Sequence, residues 1–228
     1  MPHAPRTIAF LCELLHPPVT PDPAPVQRLH DTQFRSGDPT YRSFTVTHEG
    51  AVLSNPVQRP GAQSQAAFLQ DRFRFVEELT GLTADEFASR VRSTSEPMAE
   101  ARGLSAFVAQ AVTVRMLVNP LGFDSGIEFV GAGLLGVEEE LAEIGRPAGA
   151  LGIRMVFTPR PDEPSAFGVR IESLPSDPRS LWIECQGTFP PLVVAGGLEA
   201  VEARVHETYE FTTRRVLPFL ARFEESAR

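Results

Sequence analysis

The sequence contains no lysine; all 21 of its basic residues are arginine. That absence removes reaction classes that depend on a lysine amine, among them Schiff-base chemistry, Ser–Lys dyads and P-loop phosphate binding. Arginine is too basic to act as a general base at neutral pH in its place. Cysteine is nearly absent too. Cys12 and Cys185 each sit in an apolar, strand-like run, which reads as two buried thiols in a reducing compartment, with a single disulfide or a reactive thiol as the alternatives. One Trp and two Tyr stand against 16 Phe, so phenylalanine must build the core, and the aromatics that often anchor interfaces are few. Positive charge is in deficit. The formal net charge of −8 argues against a nucleic-acid footprint and against adsorption to anionic membrane, while leaving room for one local arginine cluster. No apolar run approaches the roughly 18 residues that span a bilayer, and the opening Met-Pro-His-Ala-Pro-Arg lacks the layout of a secretory leader, so a cytoplasmic protein is expected.

What remains is ordinary globular material, 42% apolar and 22% charged, enough to exclude wholesale disorder. Thr7 to Leu15 is a short apolar strand. Prolines at 17, 18, 21, 23 and 25 then argue against regular structure. Tyr41 to His48 alternates and turns at Glu49-Gly50 into Ala51 to Ser54, a hairpin. Gln65 to Leu79 fits both strand and helix periods, and the strand reading is preferred. Thr83 with Glu86 forms a capping box for a helix with Phe87, Val91, Thr94 and Met98 on one stripe; Pro97 is expected to kink it and Gly103 to end it. Phe107 to Val118 is a strand rich in β-branched residues, with Val108, Gln110, Val112, Val114, Met116 and Val118 as its inner row. A short acidic helix at Leu134 to Ile144 and three strands (152–158, 167–173 and 180–187) precede a long amphipathic helix. That helix runs from Leu198 to Phe223, with Pro218 near its end.

Both halves share an order: strand, further antiparallel strands, helix. The expected fold is therefore α+β, with two similar lobes, 1–103 and 104–228, each an antiparallel sheet backed by a helix. The two lobes are expected to fuse through one continuous sheet, with a single cooperative domain as the alternative to two. The face of the sheet away from the helices is expected to be a concave surface or a dimer interface.

Four segments carry a resemblance: IAFLCELLHP from Ile8, DRFRF from Asp71, AVTVRMLVNP from Ala111, and VEARVHETYEFTTRRVLPF from Val201. In these the chain resembles a bacterial family of two-lobed α+β proteins of similar length with no established activity. The resemblance places the His and Phe of the family's closing helix at His206 and Phe211. It implies no catalytic residue.

Candidate chemistry is thin. Glu202, His206 and Glu210 share a helix face that a metal or an acid–base pair could use, but HETYE is not HExxH, and a solvated face is the simpler reading. Arg214 and Arg215, with Arg222, form a basic patch near a helix C-terminus, suited to an anion or a partner or simply to the helix dipole. Arg115 and Arg154 stand in strands with similar phrasing, VTVRMLV and GIRMVF, as if in equivalent places of the two halves. They could hold a carboxylate or phosphate, stack over Phe, or pair with Glu128, Glu172 or Glu184. Gly131, Gly133 and Gly136 match GxGxxG spacing but lack a following acidic strand end, and read as a glycine-rich linker. There is no GxSxG elbow. Accordingly no catalytic residue, metal or cofactor is assigned. The expected function is binding or protein interaction, including self-association, through the sheet face, the sheet edge or a closing-helix surface of His206, Glu210, Arg214 and Arg215. The alternative is an enzyme or anion-binding protein using Arg115 and Arg154.

Overall fold

The period-two runs all become strands of one sheet. The computed structural model describes residues 5–225; the first four, on which part of the leader argument rests, lie outside the described residues. β1 (Arg6–Leu15) is followed by α1 (Ala24–Ser36), the hairpin β2 (Ser43–Val46) and β3 (Gly50–Ser54), then β4 (Gln63–Leu69), β5 (Arg72–Glu78) and α2 (Ala84–Ala101). The second half repeats this plan. β6 (Ala106–Phe107) and β7 (Ala109–Val118) lead into α3 (Gly126–Glu128) with a π-helical continuation Phe129–Leu135, and α4 (Glu138–Glu143). β8 (Gly152–Phe157), β9 (Ala166–Leu174), β10 (Asp177–Phe189) and β11 (Leu192–Val193) precede α5 (Glu199–Phe211), a π-helical segment Thr212–Val216 and α6 (Leu217–Glu225).

Nine strands form one antiparallel sheet in the order β2-β3-β4-β5-β1-β7-β10-β9-β8. The first long strand of each half, β1 or β7, lies at the centre against its counterpart, and the last long strand of each half, β5 or β10, flanks it. The two halves are thus arranged alike on either side of the β1–β7 seam, which fuses them into a continuous α+β sheet. On one face Phe10, Cys12, Leu14, Phe73, Phe75, Val112, Val114, Met116, Val169, Ile171, Ile183 and Cys185 are buried under the helices, with α2 and α5 packed side by side over the centre. Phe87 stacks on Phe10 at 5.3 Å between ring centroids, which joins α2 to β1.

Four local expectations are corrected. Pro25 opens α1 instead of preventing it, because a proline in the first turn has no intrahelical donor to lose. The 65–79 run is two strands, its ambiguity hiding a turn at Gln70-Asp71. α2 passes Pro97 without a break, since the carbonyl left without a donor belongs to the exposed Ser93. Val108 falls between β6 and β7 and is exposed, whereas Gln110 to Val118 keep the inner row. The Thr83–Glu86 capping box forms as read. The GAGLLG run is helical and follows a helix rather than a strand, amid antiparallel strands, so the dinucleotide-loop geometry is absent from it.

Candidate functional site

The open sheet face is a cross-strand charge ladder. Glu78, Ala9, Arg115, Glu184, Arg170 and Arg154 lie directly opposite one another on six successive strands. Arg115 donates through Nε to Glu184 at 2.8 Å and lies 3.8 Å from Glu78. Arg170 pairs with Glu172 at 2.7 Å, and Arg72 and Arg74 approach Glu13. The guanidinium groups of Arg115 and Arg170 also lie over the Trp182 ring, at 5.7 and 5.2 Å. The shallow recess at the centre, about 240 Å³, is lined by two arginines, Arg74 and Arg115, and two carboxylates, Glu13 and Glu184, so its formal charge cancels. Arg115 is therefore engaged structurally, in one of the ways open from the sequence.

Arg154 is different: exposed, and in no ion pair among the described residues. Three strand spacings, about 14 Å, separate it from Arg115, too far for one small anion to engage both. Nor are the two equivalent within the halves, because β7 is central and β8 terminal.

That terminal position creates an open edge. Ser173 N–H donates to the Leu151 carbonyl at 2.8 Å, so hydrogen-bonded pairs fall at 151, 153, 155 and 157. The backbone groups of Gly152, Arg154 and Val156 then point outward, with no strand beyond them among the described residues. Val156 and Phe157 are 63% and 43% exposed, an unusual load of apolar surface for a sheet edge.

The same edge forms one wall of a groove of about 1180 Å³, with α5 and the π-helical segment opposite. Phe157, Phe167, Phe211 and Phe219 line it; Phe167 stacks on Phe211 at 4.0 Å and Phe157 meets Phe211 edge-on at 5.4 Å. Arg160, Arg214 and Arg215 line it with Glu163, Glu207 and Glu210. Two acids are engaged locally: Glu207 accepts from Arg204 at 2.8 Å and from the Ser165 hydroxyl, and Glu210 pairs with Arg214 at 3.2 Å. Arg160 and Arg215 have no acidic partner among the described residues.

The local sequence explains the helix geometry there. Thr208, Thr212 and Thr213 hydroxyls donate back to carbonyls four residues earlier, and Pro218 cannot donate to Arg214. The chain accommodates both by a π-type bond from Leu217 N–H to Thr212 O, and that segment carries Arg214 and Arg215. The closing helix is thus interrupted at 212–216, one turn before Pro218.

The other expected closing-helix residues divide. Glu210 joins Arg214 at the groove. His206 lies across the seam with α2, its Nδ1 3.6 Å from Asp85. Glu202 and Glu199 both pair with Arg92 of α2, so this face is a helix–helix seam rather than a free solvated face. Among the described residues no group of three or more His, Cys, Asp or Glu is placed to hold a metal ion, and no helix is long and apolar enough to cross a membrane. Both cysteines are free and buried; burial pushes the Cys185 thiol up to about 11 and the Cys12 thiol higher still.

No family model and no curated protein matches the chain. A solved structure, the regulatory subunit of aspartate kinase from Thermus flavus, is similar over 92% of this chain and 98% of that one. Its identity is 14% and its TM-score 0.22, and a likeness of that size carries no argument here.

Phe157, Arg160 and Phe219 are groove residues that sequence reasoning did not single out, whereas Phe211 was named there on the family resemblance. One signal was present. On the open face of β8, Val156 follows Arg154 where alternation calls for a polar residue.

Proposed function

We propose that the protein is a non-catalytic interaction protein that captures an extended, acidic and aromatic segment of a partner protein along β8. The carrying observation is the coincidence of an unpaired strand edge with a phenylalanine-lined groove whose Arg160 and Arg215 lack acidic partners among the described residues. A peptide adding to β8 would pair with the outward backbone of Gly152, Arg154 and Val156, rest aromatic side chains against Phe157 and Phe211, and set carboxylates near Arg154, Arg160 and Arg215. A foreign segment fits better than a second copy. β8 carries no acid, and edge-to-edge pairing of two copies brings both Arg154 side chains onto one face, opposite or diagonal to each other.

A fluorescein-labelled peptide alternating Phe and Asp tests the reading by anisotropy. Saturable, salt-sensitive binding is expected, lost in Val156→Pro and weakened roughly tenfold in Arg215→Glu. Val156→Pro removes an outward N–H and no ladder hydrogen bond, so the fold survives it. Equal binding by Val156→Pro contradicts the reading. A concentration-dependent dimer abolished by Val156→Pro, without peptide binding, replaces the foreign partner with a second copy.

A further inference from the structure

The two halves of the sheet are not equally complete. Outward from the seam the first half runs β1, β5, β4, β3, β2 and the second runs β7, β10, β9, β8, every neighbouring pair antiparallel. β5 therefore corresponds to β10, β4 to β9 and β3 to β8, while β2 has no counterpart among the described residues. In the first half the chain between α1 and β3 supplies β2. In the second half the equivalent stretch, 144–151 between α4 and β8, forms turns and bends but no strand. The strand that is missing is the one that would cover the open edge of β8.

Two glycines fix the register of this correspondence. Gly50 opens β3 opposite Leu69, and Gly152 opens β8 opposite Glu172. A Cβ on Gly50 would run into the carbonyl oxygen of Phe68, the residue before its partner. A Cβ on Gly152 would stand 2.9 Å from the carbonyl oxygen of Ile171, again the residue before its partner. Both meet the same close approach of the next strand, which makes them equivalent, and the rest follows by counting: Val52 with Arg154, Leu53 with Met155, Ser54 with Val156. The hydrogen-bonding phase agrees. Asn55 N–H donates to the Ser64 carbonyl at 3.0 Å, so β3 turns 51 and 53 toward β4 and turns Gly50, Val52 and Ser54 toward β2, as β8 turns Gly152, Arg154 and Val156 outward.

β2 shows what such an edge accepts. It places Phe44 opposite Leu53 and Thr45 opposite Val52. Phe44 is half-buried on the helix side, its ring centroid 6.1 Å from that of His30 of α1, and Thr45 is exposed on the open face. At β8 the helix-side place opposite Met155 borders the groove, which Met155 lines together with Phe157 and Phe211. The open-face place lies opposite Arg154. Arg154 already faces Arg170 on its inner side, and like charges directly opposite are unfavourable. Arg170 is compensated by Glu172 and Glu184, whereas Arg154 has no acidic partner among the described residues.

We infer that the partner segment enters antiparallel to β8, as the fifth strand the second half lacks, with an aromatic residue opposite Met155 and a carboxylate opposite Arg154. That assignment rests on β8 being the capture edge and adds direction and register to it. The segment's N-terminal end lies at Val156 and its C-terminal end at Gly152, as Ser43 lies at Ser54 and Thr47 at Gly50.

The Phe–Asp peptide carrying a nitroxide at its N- or its C-terminus tests the direction, read by broadening of the protein's amide signals. The N-terminal nitroxide broadens Val156 and Phe157 more than Gly152 and Ile153, and the C-terminal one reverses that gradient. A version keeping the central Asp alone, with Ser for the others, tests the register. Arg154→Glu, at an exposed position, weakens its binding roughly tenfold, and replacing that Asp by Lys restores binding to the variant. The opposite gradient, or equal broadening from both ends, overturns antiparallel entry and leaves capture at β8 standing. Failure of the charge swap to restore binding overturns the carboxylate at Arg154. Peptides that do not bind at all overturn both this assignment and the capture reading beneath it.

Discussion

Removing the Arg90 guanidinium isolates a carboxylate that has no solvent to fall back on. In the folded chain Glu77 is fully covered, Arg90 is 20% exposed and lies over the Tyr41 ring at 5.4 Å, and the two meet at 2.5 Å. Among the described residues Arg90 is the one cation paired with Glu77, so Arg90→Ala leaves that carboxylate only neutral hydroxyl neighbours, Ser64 and Tyr41. Breaking a buried pair from one side typically costs about 3–5 kcal/mol. For a chain of this size that is a fall in melting temperature of roughly 6–20 °C. The cost comes from the orphaned charge, so neutralising that charge should recover it. Glu77→Gln in the Arg90→Ala background regains most of the loss, while Glu77→Gln alone costs less than Arg90→Ala. A double-mutant cycle by urea unfolding, followed through the fluorescence of Trp182, the single tryptophan, measures this coupling. An Arg90→Ala protein within about 1 kcal/mol of the parent, or a double variant no better than Arg90→Ala, refutes the reasoning.

Three further outcomes follow from the packing. Burial holds His16 below its ordinary pKa of 6.5, so the folded state favours neutral imidazole; its contribution is present above pH 6.5 and is lost as pH falls through the lowered folded value. The urea midpoint should fall below pH 6.5 less steeply in His16→Gln than in the parent. A Cβ on Gly187 would stand 2.5 Å from Thr208 Oγ1 and 2.7 Å from the Phe189 ring, so Gly187→Ala should cost about 1–3 kcal/mol in thermal melts by forcing β10 and α5 apart. Neither thiol should react with a disulfide reagent at pH 8 in the folded protein, and both should react on unfolding, since Cys12 and Cys185 are buried and their ionisation is suppressed.

The sheet was legible where one face alone is buried. β7 and β10 alternate cleanly, and the inner residues of β7, from Gln110 to Val118, lie under the helices. Legibility failed where a local signal met a tertiary override. Pro25 reads as a breaker until its place in a first turn is known, and Pro97 is tolerated because the carbonyl it strands is at the surface. The β4–β5 turn was hidden because apolar residues on both sides of Gln70-Asp71 satisfy two periods at once.

The candidate sites divide along the same line. Arg115 and its pairing with Glu184 follow from alternation plus an opposite charge on a neighbouring strand, and the pairing was among the readings open from the sequence. Strand order was not legible, so the roughly 14 Å between Arg115 and Arg154 and the terminal place of β8 could not be seen. The groove joins Phe167 to Phe211, and α2 brings Arg90 onto Glu77 and the Tyr41 ring; no periodicity relates residues brought together by folding alone.

Amide exchange at β8 tests the central claim most directly. In the free protein the N–H groups of Arg154 and Val156, facing the open edge, exchange much faster than those of Ile153 and Met155, which face β9. The Phe–Asp peptide at saturation should slow Arg154 and Val156 selectively and leave the distant edge strand β2 unchanged. Unaltered exchange at Arg154 and Val156 under conditions where the peptide is bound would contradict strand addition at this edge.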